Sequence, residues 1–278
     1  MNRIDLLKEV NDRGEGILSC SLAPNGVHDF NELLNDVSFL RNCGLNQLFT
    51  LCYDPDVMKL AEIAPAEIRL LKRGIEKGSY REMYFDNARA IREANPDLAM
   101  IATPMVGDTL CYGMGRFLEK CQEVGVDGMD TAHYLSIEDP VSFRKRVIDA
   151  GIHFLCAVDA MEIDLSKPEH VERLDGIVKI STGEILFVGG IPGEAEKLDG
   201  NYYRPLVEHI RRVQKENNIE ARIISIGGLN TPDDVYQMVH VAGTDGVHFS
   251  SAFIKRLLAG RYAEIETWLK DVKDAMRG

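Results

Sequence analysis

The segment RIISIGGLNTPDDVYQMVHVAGTDGVHFSS, residues 222–251, decides the fold. Its apolar start ends at the pair Gly227-Gly228, a position where a strand would turn into a loop. Thr231 then has the side chain of a helix N-cap, with proline next and two aspartates in the first turn. The pattern predicts a strand, a glycine-rich turn and a helix that runs to about Ala242.

A second short strand, residues 246–249, is predicted to end at Ser250-Ser251, where another helix begins. Glycines let backbone N–H groups come close to a ligand, and a helix N-terminus carries positive potential. Together these features predict a phosphate site at the last two strands of a (β/α)8 barrel. The alternative is a β-α-β unit whose glycines serve only its turns.

The composition is that of an ordinary globular domain. The 278 residues are 45% hydrophobic and 27% charged, and the net charge of −12 disfavours binding to nucleic acid or anionic membranes. We find no apolar run of membrane-spanning length and no secretory signal in residues 1–13. Six cysteines without a C-x-x-C pair indicate reduced thiols, so we expect a cytoplasmic protein.

Strand and helix patterns alternate eight times without a linker or a shift in composition. This rhythm predicts one domain over residues 1–278, a (β/α)8 barrel with a short helix, residues 4–11, across its bottom. One segment, residues 159–181, is less regular and is predicted to hold a helix only near residues 168–174. Catalytic groups in such barrels lie at the C-terminal ends of the strands.

Two strand ends carry candidate acid-base groups. The fourth strand ends at Asp130, and His133 follows in the densest titratable cluster of the chain. If the strand continues, these side chains fall on opposite faces, so at most one points inward. The alternative is a salt-bridging aspartate and a loop histidine. Asp54 follows the second strand, as either a base or part of a turn.

Other polar residues near strand ends have simpler interpretations. Cys20 has no identifiable general base, which favours a packed small residue over a nucleophile. Lys179, in the alternating IVKIS, is either a Schiff-base lysine or an exposed lysine beside a short strand. Asp159 could join Asp130 and His133 around a divalent metal, but the spacing has no metal signature, so we predict no metal and no cofactor. The remaining histidines carry no motif and are expected to be structural or at the surface: His28, His153, His170, His209, His240 and His248.

Four stretches resemble the tryptophan synthase alpha subunit family: GRFLEKCQEVGVDG (115–128), GGIPG (189–193), SIGGLNTPDDV (225–235) and TDGVHFSSAFIKRL (244–257). The resemblance implies a (β/α)8 barrel of the ribulose-phosphate-binding type. The family cleaves indole-3-glycerol phosphate by retro-aldol chemistry and passes indole to a beta subunit. Its phosphate site would correspond to Gly193, Gly228, Ser250 and Ser251, although the family usually has Gly-Ser at the last pair.

The resemblance fails at the family's catalytic positions. Phe49 stands where the catalytic glutamate is expected, and Ile63, next to Glu62, stands at the second carboxylate. Glu184 replaces the family tyrosine, and His133 replaces an aspartate after the fourth strand. The loop after the sixth strand also lacks the usual arginine and threonine. Because phenylalanine and isoleucine cannot transfer protons, we expect the tryptophan chemistry to be absent.

Two functions remain open from the sequence. The first is a lyase of retro-aldol type, or an isomerase, that acts on a small phosphorylated metabolite through Asp54, Asp130 and His133. The second is a non-catalytic phosphate-ligand sensor or partner subunit that retained the barrel. Either leaves open a homo-oligomer or a partner like the beta subunit. Carboxylates that converge on a ligand would favour catalysis.

Overall fold

The computed structural model describes residues 2–22, 30–51, 69, 72, 73, 76, 81–104, 109, 112–130, 140–189 and 198–278. Eight parallel strands close into a barrel in sequence order. They are Ile17–Leu22 (β1), Gln47–Leu51 (β2), Ala99–Thr103 (β3), Gly128–Asp130 (β4), His153–Asp159 (β5), Glu184–Val188 (β6), Arg222–Ile226 (β7) and Gly246–Phe249 (β8). The predicted (β/α)8 barrel is confirmed.

Helices surround the barrel. In the described parts of the chain they are Arg3–Leu6 (α1), Lys8–Asp12 (α2), Phe30–Asn42 (α3), Arg81–Ala94 (α4), Met114–Glu123 (α5), Pro140–Asp149 (α6), Pro168–Ile180 (α7), Gly200–Asn217 (α8), Pro232–Tyr236 (α9), Ser251–Leu258 (α10) and Tyr262–Arg277 (α11). A 3-10 turn, Ala160–Glu162, follows β5, and a π-helical segment, Gln237–Ala242, continues α9. Within these described helices, none is long and apolar enough to cross a membrane.

Side chains alternate along each strand between the helix layer and the barrel interior. Cys20, for example, packs with Leu18 and Leu33 in the cluster between β1 and the helices. Burial raises the pKa of the Cys20 thiol well above its usual range, which agrees with a packed residue rather than a nucleophile. The inward-facing residues fill the barrel as a core of their own.

The strand register sorts the inward-facing residues into layers. Because the strands are tilted, residues at the same height along the barrel axis are offset by two positions in the hydrogen-bond register between one strand and the next but one. Each layer therefore takes its side chains from alternate strands. The deeper layer from the even strands is Gln47, Gly128, Glu184 and Gly246. The next layer from the even strands, closer to the C-terminal mouth, is Phe49, Asp130, Leu186 and His248.

Helices α1 and α2 close the bottom of the barrel, as predicted. Ile4, Leu7 and Val10 are buried in one cluster with the lowest inward-facing side chains, such as Ile17. Asp127, just before β4, fixes α1 in place by accepting a hydrogen bond from the Arg3 backbone N–H at 3.1 Å. These helices therefore cover the N-terminal end of the barrel. The opposite end carries the C-terminal ends of the strands, where the site is expected.

Helix α7 corrects one prediction from the sequence. It extends over Pro168–Ile180, six residues beyond the predicted end at Leu174. Leu174 and Val178 are both buried, and this spacing of four places them on one face of a helix. Lys179 therefore lies in the last turn of α7 and not beside a strand. The alternation of IVKIS was misleading because the same residues also fit the helical period.

Candidate functional site

The loop after β7 depends on two glycines in the left-handed region. Gly227 has φ +83° and Gly228 has φ +70°. A Cβ on Gly227 would lie 3.1 Å from the carbonyl oxygen of Gly189, and one on Gly228 would lie 3.2 Å from Leu198 Cδ2. Both conformation and space therefore favour glycine at these positions. The loop is held close to the chain that follows β6.

Asp234 holds this loop against the start of α9. Its Oδ2 accepts hydrogen bonds from Thr231 Oγ1 and from the Thr231 backbone N–H, both at 2.8 Å. The Thr231 hydroxyl in turn accepts from the Asp234 backbone N–H at 3.2 Å, which completes a capping box. Asn230 N–H also donates to Asp234, at 3.1 Å. The N-cap predicted at Thr231 is confirmed.

Helix α10 begins at Ser251 with Ser250 as its N-cap residue, as predicted, and no side-chain cap is found there. The first amides of a helix have no intrahelical acceptor and point toward a potential anion. Because β7 and β8 are neighbours, this helix start and Gly228 lie at the same edge of the barrel. Gly193, the third predicted phosphate residue, lies outside the described residues.

The single tryptophan of the chain reports on this edge of the barrel. Trp268 Nε1 donates to the Asn230 carbonyl oxygen at 3.3 Å. Its ring lies 4.5 Å from that of Phe249, the last residue of β8, and Arg256 of α10 lies over its face. A ligand at the loops after β7 and β8 would therefore change the surroundings of Trp268.

Asp130 lies at the C-terminal end of β4 and on the inner side of the barrel. Gly128 shares its face, and a Cβ on Gly128 would lie 2.7–2.8 Å from the inward-facing side chains of Ile4, Ile101 and Leu155. Asp130 is half-buried and ends the strand. Of the predicted pair Asp130 and His133, Asp130 is thus the one whose side chain is placed on the inner face. Asp54 and His133 lie outside the described residues.

His248 faces the barrel interior in the same layer as Asp130, on the opposite strand. Its Nδ1 is 2.7 Å from Ser19 Oγ, and its Nε2 is 2.8 Å from Ser21 Oγ. Phe49 packs against the imidazole with ring centroids 4.3 Å apart. Burial lowers the pKa of His248 to about 3, so the ring is neutral at physiological pH. Nothing in the sequence motifs marked this histidine as part of a site.

The remaining acid near a strand end has a local structural role. Asp159 is exposed and accepts a hydrogen bond from Met161 N–H at 3.0 Å, which caps the 3-10 turn after β5. No group of three histidine, cysteine, aspartate or glutamate side chains suited to a metal ion occurs among the residues with described positions.

Glu184 lies one layer deeper, at the start of β6, and is fully buried. Its Oε1 accepts a hydrogen bond from Gln47 Nε2 at 2.7 Å across the barrel, while Oε2 has no partner. Burial raises the pKa of Glu184 to about 7, and the bond from Gln47 opposes that rise. Glu184 is therefore a carboxyl group whose neutral form is favoured by the fold.

Glu184→Gln is expected to stabilise the protein at pH 8 more than at pH 5. The pKa of Glu184 rises from 4.5 to about 7 on folding, so wild-type stability falls as pH rises through this window. Glutamine is neutral throughout, and we expect the gain at pH 8 to exceed that at pH 5 by about 2–3 kcal/mol. Urea unfolding at both pH values measures it, with the exposed Glu216→Gln as control. An equal effect of Glu184→Gln at both pH values would contradict this assignment.

Fold and register define a (β/α)8-barrel protein, with a glycine loop and a helix N-terminus at the last two strands. No family model matches the chain. The tryptophan synthase alpha chain of Caldanaerobacter subterraneus subsp. tengcongensis is 27% identical over 207 residues, 73% of this chain and 71% of that one. The alpha chain of Caldicellulosiruptor bescii is 23% identical and covers 77% of this chain and 75% of its own length.

Solved structures agree in fold. A chain from Aquifex aeolicus VF5 matches with a TM-score of 0.81 at 18% identity over 100% of both chains. Mycobacterium tuberculosis tryptophan synthase matches with a TM-score of 0.79 at 16% identity, over 100% of this chain and 99% of that chain. The chain is thus similar in sequence to tryptophan synthase alpha chains and has the same fold as the matched solved structures.

Proposed function

We propose that this protein is a lyase of retro-aldol type, or an isomerase, that acts on a small phosphorylated metabolite at the C-terminal mouth. The observation that carries the proposal is the layer shared by Asp130 and His248, which face each other from opposite strands. Both reactions begin when a base removes a hydroxyl or C–H proton and negative charge develops on an oxygen. A carboxylate and a neutral hydrogen-bonded imidazole suit these two roles.

The phosphate group would bind at Gly228, Ser250 and Ser251, with Gly193 as the predicted fourth contact. Support comes from the left-handed glycine loop and the start of α10, which lie at the same edge of the barrel. Anchoring a phosphate there would extend the reacting carbons of the substrate across the mouth toward β4.

Asp130 would take the proton, and the serine-histidine chain would stabilise the oxyanion. Because His248 stays neutral, it cannot supply a proton by titration near pH 7. In one tautomer its Nε2–H donates to Ser21 Oγ, and the Ser21 hydroxyl can then donate toward the mouth. Ser19 would donate to Nδ1 and fix that tautomer. Asp54 and His133 remain predicted partners for proton transfer to the departing carbon.

We do not expect the reaction to be that of the relatives, which are named tryptophan synthase alpha chains. Phe49 occupies the position that resembles the family's catalytic glutamate, and its ring packs on His248 inside the barrel. Purified protein is therefore expected to release no indole from indole-3-glycerol phosphate, as followed by a colorimetric indole assay. Indole formation would show that another carboxylate, Asp54 or Glu62, replaces the missing one.

Gly228→Val tests the phosphate site. The substitution strains a left-handed residue and adds a side chain where the backbone must approach the phosphate. We expect it to weaken glycerol 3-phosphate binding at least about tenfold, since each lost charge-assisted hydrogen bond contributes about 1.5–3 kcal/mol. Trp268 fluorescence gives the affinity, and glycerol should bind both proteins equally weakly.

Gly260→Val is the matched control for Gly228→Val. Gly260 has φ +67°, and an added Cβ would meet nothing within 4 Å. Gly260→Val therefore introduces the same kind of backbone strain as Gly228→Val but adds no side chain to the phosphate site. If both valine variants lose glycerol 3-phosphate equally, the assignment of the phosphate site is wrong.

The alternative function, a non-catalytic phosphate-ligand sensor, is favoured by a different observation. Phe49 and Leu186 share the layer with Asp130 and are buried, so half of that layer is apolar. A sensor would bind phosphorylated metabolites without turnover. The same holds, for the chain alone, of a subunit that acts only with a beta-like partner or with a second copy. Screening phosphorylated metabolites for product formation by mass spectrometry, with the chain alone, separates the two functions.

A further inference from the structure

We propose that a cavity at the N-terminal end of the barrel binds a small anion with two or more negative charges. The cavity has a volume of ≈350 Å³ and lies between α1, the start of β5 and the loops that precede β6 and β7. This is within the range of small-molecule sites. It lies at the opposite end of the barrel from the mouth, so a ligand here would be additional to the substrate.

Three cationic side chains in this cavity have no carboxylate partner within the described chain: Arg144, Lys179 and Arg222. Arg144 Nε donates only to a carbonyl, that of Ile180, at 2.7 Å. Arg222 Nη1 likewise donates to the carbonyl of Glu220 at 3.2 Å. None of the three therefore forms an ion pair with a carboxylate of the described residues, although Arg222 also interacts electrostatically with the buried Glu184 opposite it on β6.

Arg222 gives the clearest indication of a binding site. Its Nε is buried and has no hydrogen-bond partner. A buried donor without an acceptor costs about 1–3 kcal/mol, so such groups are uncommon where no ligand or water completes them. An oxyanion in the cavity would supply that acceptor, and a guanidinium can bind two oxygens at once.

The other titratable side chains described in the cavity contact one another in pairs. Lys8 Nζ lies 3.7 Å from Glu220 Oε2, and His153 Nε2 lies 3.0 Å from Asp5 Oδ1. These pairs account for both carboxylates among the described residues that line the cavity. The positive excess is notable because the chain as a whole carries a net charge of −12. An overall positive charge of the protein therefore cannot account for the cluster of cations in this cavity.

Glycine shapes the floor of the cavity. Gly183 has φ +78°, and a Cβ there would lie 2.8 Å from His153 Cγ and 2.9 Å from Ile4 Cγ2. The loop before β6 can therefore pass close beneath the imidazole and keep the space open. Because His153 lines this space, its ring resonances should report occupancy directly.

The experiment uses the full chain and inorganic pyrophosphate as the probe, at constant ionic strength. Binding is followed by calorimetry and by the His153 imidazole NMR signal, assigned from His153→Gln. Arg144→Gln combined with Lys179→Gln is expected to weaken binding at least about tenfold, because two charge-assisted contacts are lost. The control is Arg146→Gln, on the same helix as Arg144, combined with Lys167→Gln, at the N-cap of α7, and both positions are outside the cavity lining. Lys179→Gln alone, at an exposed position, should weaken binding in the same direction.

The outcomes separate this site from the mouth. A saturable His153 shift that the cavity variants lose and the control variants keep supports the proposal. Equal weakening in both double variants would show diffuse electrostatic attraction and overturn it. If pyrophosphate changes only Trp268 fluorescence and leaves His153 unmoved, the anion binds at the mouth alone and the proposal fails.

Discussion

Asp130→Asn is expected to lower turnover of the true substrate by at least about 10²-fold while phosphate-dependent binding persists. Asparagine keeps the size of the side chain at the end of β4 but cannot accept a proton. The phosphate contacts at the loops after β7 and β8 lie elsewhere on the barrel mouth and should be untouched. Activity requires a substrate found by the metabolite screen, and binding of glycerol 3-phosphate is followed through Trp268 fluorescence.

Asp159→Asn is the control for this substitution. Asp159 ends the neighbouring strand, is exposed, and caps a 3-10 turn, so its amide should leave turnover within about twofold of wild type. A pH profile adds a second readout, since loss of the base should remove the acidic limb of kcat/KM. If Asp130→Asn retains full turnover, the base lies elsewhere, and Asp54 becomes the next candidate.

The sequence was most informative where structure depends on neighbours along the chain. Thr231 was predicted to cap a helix and does so, because its partner Asp234 is only three residues away. The start of α10 at Ser251 follows from the same kind of local pattern. The eightfold alternation of strands and helices likewise sufficed for the barrel, since parallel strands with short connections have few other ways to close.

The interior of the barrel was less accessible from sequence. His248 looked like any motif-free histidine, because its partners Ser19 and Ser21 lie more than 220 residues away in the chain. The only sequence signal is alternation: Val247 and Phe249 on either side are apolar and face the helices. Such a pattern places His248 inward, but only the register shows which residues share its layer.

The sequence indicated only that Glu184 stands where the family has a tyrosine, and it did not predict a buried carboxyl group, because the contacts of Glu184 are long-range. Its hydrogen-bond partner Gln47 lies 137 residues earlier, on the opposite side of the barrel. The anion cavity, similarly, combines α1 with the loops before β6 and β7. Neither arrangement has a sequence motif, since each depends on how the closed barrel brings distant segments together.

Asp127→Asn is expected to reduce the free energy of unfolding by about 3–5 kcal/mol, the cost of breaking a buried ion pair. Asp127 is 2% exposed, and its Oδ2 accepts from Arg92 Nη2 at 2.6 Å and from the Met100 backbone N–H at 3.0 Å. Burial lowers the pKa of Arg92, and Asp127 opposes this. Arginine side chains stay charged in proteins at neutral pH. Without the carboxylate, a charge in a half-buried position loses its compensation.

A double-mutant cycle separates the ion pair from simple loss of contacts. Arg92→Met alone leaves the buried Asp127 with only the longer ion pair to Arg3, whose Nη1 lies 3.4 Å from Oδ1. Asp127→Asn with Arg92→Met removes both charges of the shorter pair, so the double variant should be more stable than the sum of the single losses predicts. Asp97→Asn is the surface control, because Asp97 is 68% exposed where it pairs with Arg41, and it should cost no more than about 1 kcal/mol. Urea unfolding measures the wild type and the four variants, because guanidinium chloride would screen the charges. Strict additivity of the two single substitutions would mean that the carboxylate fixes α1 and β3 through its backbone hydrogen bonds and that its charge contributes little.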